Sequence, residues 1–216
     1  MEYCSRNYFF SSHVKHSSKA ERRARIAKHA QKLVRKGQIL CPITIKGRTI
    51  ARTFLGKAWC DHLAAFRDYG NRLPLGLVYV RNGSVFDLEI SQGQISAQVM
   101  GDSLYNVCIK VKPMEKIKRL ALVKTCLGKI GSLMELSQGR CSKIVKKMII
   151  EGGIFPQPEE ISVQCTCPEN TSMCKHVAAV LHGVGACLDV KPEWLFELRQ
   201  IRYEDLMAEP LSSINQ

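Results

Sequence analysis

LVYVRNGSVFDLEISQGQISAQVMGDSLYNVCIKVKP, residues 77–113, carries the strongest strand signal in the chain. Apolar and polar residues alternate in four runs, split by Asn82-Gly83, Gln92-Gly93 and Gly101-Asp102. A period of two turns one face of a strand inward and the other to water. Asn-Gly between two such runs is a strong hairpin signal. The pattern predicts a four-stranded antiparallel meander over 77–82, 84–91, 94–100 and 104–111, with Val78, Val80 and Val85 buried against a helix.

The flanking sequence supplies helices. Upstream, residues 55–69 place Trp59, Leu63 and Phe66 on one helical face, and residues 42–54 read as two short strands turning at Gly47. Downstream of Pro113, Ile117, Leu120, Ala121, Lys124, Leu127 and Ile130 follow three-four spacing. Shorter helices are expected near 132–137 and 140–150. Gly152-Gly153 and Pro156 and Pro158 then break the pattern. The expected fold is α+β: an antiparallel β-meander with helices, followed by a C-terminal unit on a strand–knuckle–helix frame. Four segments are expected: a basic arm (1–53), an α+β body (54–152), the C-terminal unit (153–190) and an acidic tail with a short helix (191–216).

The 216 residues carry a formal charge of +13, unevenly spread. Residues 1–52 hold +11, 53–112 hold +1, 113–155 hold +6 and 156–216 hold −5. Such a surplus suits a polyanionic partner. No stretch approaches the ~20 apolar residues of a membrane span, and the first residues lack a secretory signal. A cytoplasmic location is therefore expected. The ten cysteines are then reduced, and a tight cluster among them reads as metal or catalysis and not as a disulfide frame.

Residues 17–37 predict a helix capped by Ser18 with Glu21 in capping-box spacing and ended by Gly37. Arg22, Arg25, Lys28, Lys32, Arg35 and Lys36 fall on one arc, with Ala20, Ala24, Ala27 and Val34 expected behind them. That stripe, together with Lys143, Lys146 and Lys147, forms the candidate set of phosphate contacts. A solvated arm would have the same charge pattern.

CTCPENTSMCKH, residues 165–176, follows a strand-like EISVQC and opens a helix, CKHVAAVLHGVGACL. The spacing Cys-x-Cys then Cys-x-His brings Cys165, Cys167, Cys174 and His176 to one point. Three sulfurs and one ring nitrogen without a carboxylate suit tetrahedral Zn2+, and four filled positions make a closed, structural site. His182 and Cys187 lie on the wrong face or too far along the helix to join. If the finger is an independent module, Cys174→Ser unfolds it and leaves the meander standing.

These residues resemble the SWIM zinc finger family, in its bacterial form. The likeness rests on C-x-C-x6-C-x-H followed by VAAVL and PEWLFELR. It extends to MEY-SRNYF at the start, FLGKAWCDHL, RLPLGLVYVRNGSVFDLEI, LMELSQGR and GGIFP. The resemblance implies zinc binding, DNA or protein binding beside Swi/Snf-type helicases, and no established catalysis.

Nothing in the residues suggests an enzyme. Cys60 and His62, two apart on a helix, point away from each other. GVGACL sits inside a helix and not after a strand, and GKIGS lacks the spacing of a phosphate loop. The expected function is non-catalytic binding of nucleic acid, with DNA favoured. The alternative is an adaptor for a Swi/Snf-type helicase, docking through Trp194, Leu195, Phe196 and Leu198.

Overall fold

The computed structural model describes residues 18–45, 47–66, 71–169, 171 and 173–207. Three strands, β1 (Val85–Ser91), β2 (Gln94–Met100) and β3 (Leu104–Val111), form an antiparallel meander. A fourth, β4 (Ile161–Cys165), pairs antiparallel with β3, giving the order β1-β2-β3-β4. The fold is thus α+β with a four-stranded antiparallel sheet, but its fourth strand is the one that ends on Cys165, the first residue of the Cys/His cluster.

The run expected as the first strand is a helix, α3 (Leu73–Arg81). Pro74 sits in its first turn, where a missing N–H costs nothing. Leu73, Gly76, Tyr79 and Val80 are buried while Val78 is exposed, which is spacing of three and four and not of two. Asn82 caps the helix and Gly83 follows at φ +73°, so the Asn-Gly pair ends a helix and does not turn a hairpin.

The described residues of 42–53 form no strand either. The chain there runs along the outer edge of β1, where Leu88 N–H donates to the Cys41 carbonyl at 3.0 Å and Cys41 N–H to Asp87 Oδ1 at 2.9 Å. An edge that would otherwise stand open is partly covered in this way.

Leu88 and Ile90, Ile95, Ala97 and Val99, and Tyr105, Val107, Ile109 and Val111 make the buried face of the sheet. Across it lies α7 (Lys175–Leu188), which touches all four strands as well as α3 and α2 (Phe54–Ala64). Small residues permit this close approach: a Cβ on Gly76 would stand 2.5 Å from the Ala178 Cβ. Trp59 of α2 donates its indole N–H to the Leu181 carbonyl at 2.8 Å. Asp189, capping the end of α7, accepts from the Arg52 and Thr53 amides and the Thr53 hydroxyl at the start of α2.

The helices α4 (Lys116–Cys126), α5 (Leu133–Ser137) and α6 (Lys143–Glu151) follow β3, and α8 (Glu193–Leu198) and α9 (Glu204–Met207) follow α7. In α8, Leu195, Phe196 and Leu198 are completely buried, and Trp194 is half-buried beneath Lys191. The docking surface expected there is part of the core. Arg199, also buried, pairs with Glu160 at 2.8 Å and donates to the carbonyls of Lys112 and Gly153. Among the described residues no helix is long and apolar enough to cross a membrane.

The N-terminal helix α1 (Lys19–Arg35) has the expected capping box: Glu21 N–H donates to Ser18 Oγ, and Ser18 N–H to the Glu21 carboxylate. Its inner face differs from the expectation. Ala20, Ala24, Ala27 and Val34 are exposed, while Arg22, Arg25, Ile26, His29, Ala30 and Leu33 are half-buried. His29 meets Phe86 edge-on at 5.6 Å. Phe86 is the extra residue at a register shift in β1.

Candidate metal centre

Each ligand position follows from an element. The pairing of Val107 with Cys165 puts the Cys165 side chain on the buried face of the sheet, at the end where α7 begins. The chain turns through Cys167 and returns at Cys174, the N-cap of α7, whose Sγ accepts from Val177 N–H at 3.5 Å. One residue inside the helix, His176 aims its ring back toward the sulfurs.

Cys165, Cys167 and Cys174 Sγ and one His176 ring nitrogen all lie within 4.8 Å of one another. His176 Nδ1 stands 3.9 Å from Cys165 Sγ and 3.8 Å from Cys174 Sγ. A tetrahedron with zinc-like bond lengths has edges of about 3.6–3.8 Å. The four residues could therefore hold a metal ion. All are buried or half-buried, and the soft donor set lacks any carboxylate. Without an ion, three thiols so close cannot all ionise. Cys165 is pushed above the usual thiol range, chiefly by donating to Cys167 and Cys174. Cys174 is pushed far below it, because it accepts from Cys165 and Cys167. A metal ion would replace the protons those sulfurs share.

The His176 ring is held by residues the sequence analysis did not single out. Tyr105 lies 4.4 Å away in a tilted stack, and Tyr79 meets the ring edge-on at 5.4 Å. Gly101, at the β2–β3 turn, leaves room on the far side: a Cβ there would stand 2.8 Å from His176 Nε2. That nitrogen is buried without a hydrogen-bond partner. Nδ1 is thus the atom presented to the sulfurs. Glu169 holds the knuckle by pairing with Lys175 at 2.9 Å and Arg72 at 3.3 Å.

The neighbouring candidates stay outside. His182 Nε2–H donates to the Leu73 carbonyl at 3.1 Å, and burial lowers the pKa of its imidazole. The burial of Cys187 pushes its thiol up to about 12. Cys60, also raised to about 12 by burial, abuts Gly185, whereas His62 bonds to the Pro156 carbonyl. The structure does not bring Cys60 and His62 together.

The predicted phosphate contacts divide. Lys28, Lys32, Arg35 and Lys36 are exposed on the outer side of α1. Arg22 and Arg25 turn inward: Arg22 lies 4.6 Å over the Tyr79 ring, and Arg25 donates to the Gly101 and Asp102 carbonyls. On α6, Lys143 and Lys147 are exposed, Lys147 faces Glu151 at 3.8 Å, and Lys146 is half-buried, 5.9 Å over the Phe54 ring.

The chain is accordingly an α+β protein with a Cys3His group suited to a metal ion. No protein-family signature matches it, and no solved structure matches it. It is similar to an uncharacterised protein, Rv2102, of Mycobacterium tuberculosis, at 26% identity over 172 residues that make up 76% of this chain and 62% of that protein. The chain thus spans somewhat less than two thirds of the relative's length.

Proposed function

We propose that the Cys3His group is a closed zinc site of the SWIM type and that the protein binds nucleic acid through α1, without catalysis. The observation that carries this reading is the docking of α1. Arg22 and Arg25 hold its inner side to Tyr79 and to the turn that touches His176. Lys28, Lys32, Arg35 and Lys36 are left facing outward on a fixed helix. Four cations in one row follow a phosphate backbone without reading its bases. The metal's part is structural: it ties β4 to the start of α7.

Two measurements test the reading. Purified protein should hold close to one equivalent of zinc per chain by mass spectrometry. A salt series on duplex and single-stranded DNA should show affinity falling steeply with ionic strength. Changing Lys28, Lys32, Arg35 and Lys36 to alanine together should flatten the log–log slope by roughly 3–4. Zinc-free folded protein would remove the first half of the proposal. A salt-independent or absent affinity would remove the second.

A further inference from the structure

A recess on the described surface lies far from the cysteine cluster in sequence, between α2 and α6. Phe54, Ala58, Ile150 and Phe155 form its walls, and Lys57, Asp61 and His62 stand among them, enclosing about 450 Å³. We propose that this cleft is a docking site for an acidic segment of a partner protein, which inserts one large apolar side chain between the two helices.

The walls are fixed. His62 lies tilted against Phe155 at 5.5 Å and edge-on to Phe66 at 5.1 Å. Its Nε2 meets the Pro156 carbonyl at 2.9 Å; a carbonyl can only accept, so that nitrogen carries the proton. A recess with a rigid aromatic floor is the usual receptor for an apolar anchor. Ile150 is 51% exposed, and α6 has no need to expose it for folding, since Val145 and Ile149 already fill the core side. Ile117, Leu120, Met134 and Ile144 are exposed as well, so half of the large apolar side chains that the described residues expose lie on α4, α5 and α6.

Charge selects the partner. Residues 113–155 carry +6, and two lysines flank the cleft itself. Lys57 lines it, and Lys146 Nζ lies 5.9 Å over the Phe54 ring that forms one wall. Asp61 is the opposing charge, one helical turn beyond Lys57. A bound segment must therefore set its carboxylates toward Lys57 and Lys146 and its apolar residue toward Phe155. Phosphates alone would gain nothing from the apolar walls, which favours a peptide over nucleic acid.

The test uses the full zinc-loaded chain and a short fluorescent peptide of glutamates and aspartates, with phenylalanine and leucine spaced three and four apart. Anisotropy should report saturable binding. A peptide of equal charge with alanine in place of its apolar residues should bind at least tenfold more weakly. Ile150→Asp and Lys57→Glu should each weaken the parent peptide at least tenfold, with circular dichroism and zinc content unchanged. In unaltered protein, the peptide should slow amide exchange in 54–62 and 143–151, a readout independent of the variants. Equal binding of the alanine peptide, protection elsewhere, or protection of these segments by an oligonucleotide but not by the peptide would each overturn the proposal.

Discussion

A single hydrogen atom in place of a side chain at position 101 sets where His176 can point. Tyr105 covers one side of the imidazole and Tyr79 its edge, while Gly101 takes the space beside Nε2. A methyl group there would meet Nε2 and the Tyr105 ring at 2.8 Å each. A free histidine could swing away, but a coordinating one is held by its metal bond. Gly101→Ala should therefore weaken metal binding by roughly 10–100-fold, as loss of a ligand's supporting contacts does. Competition against a chromophoric chelator measures this, and unchanged affinity would mean that the ring tolerates the shift. The four clustered residues themselves are legible in the sequence, because twelve consecutive residues contain all of them. Tyr79, Gly101 and Tyr105 are not legible as supports, because they reach His176 only through the folding of α3 and the β2–β3 turn.

At the scale of elements, the same distinction separates what local pattern decides from what packing decides. The turns at Gln92-Gly93 and Gly101-Asp102 and the three strands around them match the alternation of their residues. The α3 segment does not, because Val78 and Val80 alternate over too few residues to outweigh Pro74 and the face formed by Leu73, Gly76 and Val80. Gly76 is the residue that lets α3 lie on α7. Placing a side chain against the Ala178 backbone, 2.5 Å from where its Cβ would stand, should cost about 1–3 kcal/mol as overpacking does. Gly76→Val should then lower the melting temperature by several degrees. The inner face of α1 differs from its pattern for a related reason: its body-facing row includes two arginines, which composition alone assigns to solvent. Arg25 makes two hydrogen bonds to main-chain carbonyls in a half-buried setting. Arg25→Ala should speed amide exchange across α1 by on the order of tenfold while leaving β1–β3 protected, since about 1.4 kcal/mol corresponds to one decade. Exchange measured by mass spectrometry on both variants separates the loosened arm from a loosened core.

For the whole molecule, the position of the metal group decides how the protein unfolds. The sequence divides at Gly152-Gly153 and invites a reading of an autonomous finger that melts alone. In the folded chain, β4 closes the sheet against β3, and α7 lies across all four strands. Val177, Ala178, Val180, Leu181, Val184 and Leu188 of α7 belong to the same buried cluster as Leu88, Ile95, Val107 and Ile109. Freeing the cysteines would remove the metal's link between the start of α7 and the end of β4, and the helix cannot leave without uncovering the sheet. Chelation should therefore lower the temperature of one cooperative transition and not split it in two. If the free metal ion exceeds its dissociation constant about a thousandfold, its removal subtracts about 4 kcal/mol. For a chain of this size that is a fall of roughly 8–16 °C. Calorimetry with and without chelator gives the shift, and amide exchange shows whether β2 and β3 lose protection together with α7. Two separate transitions, with β1–β3 still protected after α7 has melted, would show the finger to be an independent unit despite its shared sheet.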